Sequence, residues 1–342
     1  MVERLSALLG KGRAMKAKVV GVVAALLLVG GAAGTARGDF TLWNDESLTV
    51  NTSHSLGTLF DRSRASLISG AWVGNLYSYN FSTVGICGGS AVGMSNLYAY
   101  DSSTVNISWG QVNHNLYCYD TSAVNMSAGP AGALPSVTYL FANNSSAVNI
   151  SAGSVYQCAA NDSSHVTISG GRVGNQLYAS DTSTVDVSGG TVSGVLYATG
   201  TSVVTVSGGQ VDSLGVIDTG TVSITGGQVT GLSASHSGAV KLSGGSLAWL
   251  EASSTSTVTF NAREFRLGRG LTLDGDRVLG TGILNGEWFN GTRWTVDIAR
   301  NDFGTTILAI PEPATLSLLA LLALSLPKRG GLAMMRRGRR AR

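Results

Sequence analysis

Between Val84 and Ala262 apolar and polar residues alternate in short bursts, and the bursts recur. The clearest copies are VTISGGRVGNQLYASDTST from Val166, VDVSGGTVSGVLYATGTSV from Val185 and VTVSGGQVDSLGVIDTGT from Val204. Alignment on the first valine gives Val84, Val105, Val124, Val148, Val166, Val185, Val204, Val222, Val240 and Val258. The spacing is 18 to 24 residues and settles near 18 or 19. Alternation with period two is the signature of a strand, and the Gly-Gly pair supplies a corner where close backbone approach or positive φ is needed. A period this short cannot hold two packed helices, but it fits one turn of a β-solenoid. Each coil then gives two or three short strands that pair in parallel with the coils above and below. Ten coils at about 4.8 Å make a rod of roughly 50 Å, with Val, Ile and Leu columns inside and Ser/Thr ladders outside. An antiparallel sandwich is the rival, because Gly-Gly is also a hairpin signal.

The flanks read differently. Residues 39–83 form a looser run with Phe40, Trp43, Phe60 and Trp72, expected as an N-terminal cap or as first coils. Residues 263–309 carry more charge and aromatics around the turn signals DGD and NG, the texture of a short antiparallel meander. The expected fold is thus all-β: a parallel β-helix of about ten short coils over 84–262, a small antiparallel cap, and apolar helices at the termini.

Composition agrees. Gly numbers 46 in 342 residues and charged residues are only 13%, against about a quarter in an average domain. The net charge of +3 hides an uneven distribution. Residues 39–310 hold 10 basic and 18 acidic side chains, a balance of −8, and the remaining basic residues crowd the two ends. An acidic body excludes a basic nucleic-acid face. At the N-terminus Lys16 and Lys18 precede VVGVVAALLLVGGAA and then small residues, the order of a secretory signal over 1–38 cleaved between Gly38 and Asp39 by the general export machinery. A start at Met15 gives that signal an ordinary length; an uncleaved anchor is the alternative. Cys87, Cys118 and Cys158 are odd in number and fall in different coils and columns, so all three read as packing thiols and not as disulfides.

Near the other end Pro311-Glu312-Pro313 precedes ATLSLLALLALSL and PKRGGLAMMRRGRR. Ala314 to Leu326 as a helix would span about 20 Å, short of the roughly 30 Å hydrocarbon core. The order of these parts resembles the PEP-CTERM sorting signal of exported bacterial proteins, with Pro311, Glu312 and Pro313 carrying the motif over 310–342. The interruption at Pro327, Lys328 and Arg329 departs from that pattern. The resemblance implies an exosortase, a membrane protease-transpeptidase, as processing partner, and a cell-envelope or extracellular-polysaccharide setting. Physically, a marginal helix with arginines behind it is a temporary stop-transfer, held by the positive-inside rule until the tail is cut.

Candidate chemistry is sparse. Asp101, Asp120, Asp162, Asp181 and Asp218 lie four residues before the anchor valines, with Asn144 and Gly200 in the same series. Stacked, Asp162 and Asp181 would stand about 5 Å apart, a retaining-glycosidase spacing, and neighbouring carboxylates could share a cation. The preferred reading is turn capping by Asp and Asn. The repeats hold only Arg172 and Lys241 as cations, too few for the charge stabilisation that a polysaccharide lyase needs. His54, His114, His165 and His236 lack metal spacing, and the Asn106-Ile107-Ser108 type of sequon recurs as strand composition. Tyr77, Tyr98, Tyr117, Tyr178 and Tyr197 form either an exposed sugar-binding stripe or a packed ladder. The expectation is an exported surface or matrix structural protein without cofactor or metal and with polysaccharide as a candidate partner; the alternatives are a carbohydrate-active enzyme using the aspartates and an adhesin using the tyrosines.

Overall fold

A computed structural model of the chain describes residues 38–89, 92–302 and 305–311. The body is a parallel β-solenoid of about 12 turns. Each coil has two strands: a long one such as Thr191–Ala198 and a short one such as Thr184–Val187. Long strands stack on long strands and short on short, giving two parallel sheets closed over one apolar core.

The ten valines stand in one file. Val84 pairs with Val105, Val105 with Val124, and so on without a slip to Val258. A second file two residues on runs Ile86, Ile107, Met126, Ile150, Ile168, Val187, Val206, Ile224, Leu242 and Phe260. All are buried. Because side chains alternate across a strand, this register sends every second residue inward, and a slip of one would expose the whole set. No coil could bury its apolar side alone, so stacking supplies the core.

The variation in spacing has a local cause. Coils of 19 residues carry four steps between the long strand's valine and leucine, as in Val192 to Leu196, and coils of 18 carry three, as in Val211 to Leu214. The extra residue is taken up as a register shift between Val192 and Val195. A bulge absorbs one residue and leaves the flanking pairs aligned. The 24-residue spacing from Val124 to Val148 comes from a corner loop containing the short 3-10 turn Pro130–Gly132.

The coils continue on both sides of Val84–Ala262, as the first-coils reading of 39–83 has it at one end and beyond expectation at the other. Residues 40–83 already run as coils, with Leu48 and Ala65 in the valine file. Beyond Ala262 four antiparallel strands (Glu264–Leu267, Leu271–Asp274, Arg277–Gly280, Gly282–Glu287) form an excursion. The chain then returns to the solenoid: Arg293–Asn301 pairs in parallel with Ser246–Ala252, and Thr306–Pro311 with Thr257–Ala262. The expected meander over 263–309 is therefore an inserted cap followed by one more coil. Its strands pair antiparallel with the outer edges of that coil, covering backbone groups that would otherwise be open. The expected terminal apolar helices lie outside the described residues. Among the described residues no helix is long and apolar enough to cross a membrane.

Candidate functional site

The corner between short and long strands explains the glycine pairs. The first glycine approaches the preceding coil so closely that a Cβ at Gly189 or Gly208 would fall on the carbonyl oxygen of Ser169 or Ser188. The second is left-handed, with φ of 69° at Gly190 and 72° at Gly209. Close approach and positive φ each claim one glycine.

The opposite corner holds the aspartates. Asp101, Asp120, Asp162, Asp181 and Asp218 all have φ of 55–58°, and Asn144 and Gly200 continue the same file. Asp and Asn tolerate this region better than other side-chain residues. Four of these carboxylates and the Asn144 amide oxygen accept a backbone N–H from the preceding coil: Asn80 N–H donates to Asp101 Oδ2 (3.0 Å), Asp101 N–H to Asp120 Oδ2 (3.1 Å), Asp120 N–H to Asn144 Oδ1 (3.2 Å), Asn144 N–H to Asp162 Oδ2 (2.8 Å) and Asp162 N–H to Asp181 Oδ2 (3.2 Å). The acids thus do lie in one exposed column, and what occupies them is the corner of the neighbouring coil. Among the described residues no group of three or more His, Cys, Asp or Glu is arranged to hold a metal.

The next position is a hydroxyl ladder. Thr121, Ser163, Thr182, Thr201 and Thr219 each donate from the side chain to the carbonyl of the left-handed residue one coil back, at 2.6–2.9 Å. One residue further on, Ser63, Ser103, Ser122, Ser146, Ser164, Ser183 and Ser256 turn inward, buried and with no partner for the hydroxyl. Serine was expected only on the outside. The inward file needs a small side chain at a tight corner, and its signal is the serine two residues after Asp61, Asp101, Asp120, Asn144, Asp162 and Asp181, with Gly220 taking that place after Asp218.

Tyr77, Tyr98 and Tyr117 stack with Phe141 at centroid distances of 4.7–5.3 Å. Beside them runs a second lane that the sequence reading overlooked: Trp43, Phe60, Tyr79, Tyr100 and Tyr119, at 4.1–5.1 Å. The signal was present in L-Y-x-Y, since residues two apart share a face. Tyr178 and Tyr197 form a separate pair, cut off by Ala159 and ended by Gly215. Ring planes within each lane lie within 15° of parallel, so the faces that could stack on a sugar are turned toward neighbouring rings. Burial first, and the neighbouring phenols Tyr79 and Tyr119 next, push Tyr100 up to about 12.

The cysteines divide. Cys118 and Cys158 are fully buried in different files with a coil between them, and burial raises both thiols, Cys158 to about 12. Cys87 is exposed at the end of its strand, which corrects its reading as a packing thiol. His165 Nε2 lies 3.5 Å from Asp186 at the surface, and His236 occupies the left-handed corner position.

The two expected processing points flank the solenoid closely. Gly38 and Asp39 are exposed directly ahead of the first strand, Phe40–Leu42, and the Gly38 carbonyl contacts His54 Nδ1 at 2.7 Å. Pro311 is the last residue of the last strand. Glu312, Pro313 and the apolar segment after them lie outside the described residues, as does the apolar run of the signal. No known protein family, curated protein or solved structure matches the chain.

Proposed function

We propose that the chain is a structural protein exported to the bacterial cell surface or extracellular matrix, trimmed at its N-terminus by the export machinery and at Pro311–Pro313 by an exosortase-type enzyme. The observation that carries this reading is spacing. The β-solenoid occupies residues 40–311, one residue after the proposed N-terminal cut and up to the first proline of the tripeptide. Trimming at those points leaves the strands and core of the described residues together in one piece. A rod of stacked coils whose corner carboxylates and outward hydroxyls are tied into ladders suits a structural role, and stability approximates a sum over neighbouring coils. Mass spectrometry of the protein recovered from its own cell tests this: the mature chain begins at Asp39 and ends within Pro311–Pro313. A chain that still carries Arg342 contradicts the sorting step. The enzymatic alternative has weaker support, because the carboxylates of Asp162 and Asp181 already serve as acceptors in the corners.

A further inference from the structure

Nine coils in succession, from Ser102 to Thr255, carry Ser or Thr directly after the left-handed corner residue. The first three coils do not. After Asn44, Asp61 and Asn80, which have the same positive φ, stand Asp45, Arg62 and Phe81. Where a local rule is broken without gain to the fold, a functional demand is the usual reason. Here the three departures line one open pocket of about 570 Å³, completed by Arg64 between its register partners Ser47 and Thr83.

Two further facts converge on it. Arg62 and Arg64 are the sole Arg or Lys residues from Gly38 to Gly171, in a body with 10 basic and 18 acidic side chains. Phe81, at 67% exposure, is the most exposed of the large hydrophobic residues described. Among the described residues neither arginine is in an ion pair, although Asp45 shares the pocket.

The geometry points to a binding site for a carboxylate-bearing sugar unit of an acidic polysaccharide. Guanidinium forks match a carboxylate in two-point hydrogen bonding, the Phe81 ring offers an apolar surface for the C–H face of a pyranose, and Asp45 accepts from sugar hydroxyls. Along the shaft from Val84 to Ala262 two basic side chains stand against eight acidic ones, which disfavours contact with the same polymer there. The ligand class takes its setting from the export reading above, but binding belongs to the body and is measured independently of processing.

The test is calorimetric titration of the purified full chain with oligogalacturonate, a neutral gluco-oligosaccharide of equal length, and inorganic phosphate. Saturable binding of the uronate alone is expected, weakened at least tenfold by Arg62→Ser or Arg64→Ala, severalfold by Phe81→Thr, and unchanged by Lys241→Ser. Arg62→Ser and Phe81→Thr install residues that other coils carry at this position, and an unchanged circular dichroism spectrum checks that they fold. Added salt weakens the uronate complex. No uronate binding, equal binding of the neutral sugar or of phosphate, or indifference to both arginine substitutions overturns the proposal. Failure here leaves the mature termini where mass spectrometry finds them, and retention of the tail leaves the binding result intact.

Discussion

The middle coils, Val148 to Ala262, and the first coils, Phe40 to Ala142, share their buried files and the left-handed Asp/Asn corner, and differ in the other files that face outward. In the middle, Gly-Gly corners and a hydroxyl ladder tie coil to coil. In the first coils the ties are two aromatic lanes and asparagine ladders, with Asn96 Nδ2–H donating to Asn75 Oδ1 (2.9 Å) and Asn125 Nδ2–H to Asn106 Oδ1 (3.0 Å). The core register is what the fold requires, while each outer file is an independent choice, provided that like stacks on like. That freedom lets the first three coils replace a hydroxyl ladder by Asp, Arg and Phe without disturbing the strands.

This contrast can be broken at several points. The largest effect belongs to the shared core: Leu97→Ala in the first coils and Leu196→Ala in the middle, both fully buried, should each cost about 2–5 kcal/mol in denaturant unfolding. A large difference between them would mean that the files are not equivalent. Corner glycines come next. Gly208→Ala meets the Ser188 carbonyl and should cost about 1–3 kcal/mol. Gly85→Ala, whose Cβ would meet nothing nearer than Ser66 Oγ at 3.8 Å, should be neutral or stabilise by about 0.4–1 kcal/mol.

The aspartate corner is a smaller term. Asp162→Ala loses an acceptor and forces alanine into the left-handed region, at about 1–2 kcal/mol, whereas Asp162→Asn copies Asn144 and should be near neutral. Hydrolysis of any polysaccharide by the parent chain, abolished in a well-folded Asp162→Asn variant, would restore the enzymatic reading. The smallest effect is confined to the first coils. Tyr100 ionises late because burial and adjacent phenols favour its neutral form. The unfolded chain therefore loses that proton first, and stability falls as pH rises from 10 toward about 12. Tyr100→Phe should flatten the fall, read by thermal melting across that range.

Much of the body was legible because its files are written in identical residues. The valines, the glycine pairs and the recurrent Asp announced register, corner and turn. What stayed hidden was relational. The Asp162 side chain caps the N–H of Asn144 in the neighbouring coil, a contact 18 residues away that no local turn rule contains. The last coil was missed because the excursion separates Leu250 from its partner Ile298, so the period breaks while the stack continues. Coils before Val84 carry Leu48 and Ala65 in the valine file and lack the glycine pair, which left cap and first coils both open in the sequence and concealed the pocket formed by Arg62, Arg64 and Phe81.

The central claim is parallel stacking in constant register, and spin-label distances test it most directly. Asn106, Thr205, Ser223 and Lys241 share the outward file between the two buried ones on the short strands. With exposed Cys87 changed to Ser, a label at Asn106→Cys paired with one at Thr205→Cys, Ser223→Cys or Lys241→Cys is separated by five, six or seven coil steps. Pulsed electron resonance should give about 24, 29 and 34 Å, rising by about 4.8 Å per coil. Distances that fail to rise in this even series, or that fold back as antiparallel strands would require, contradict the account.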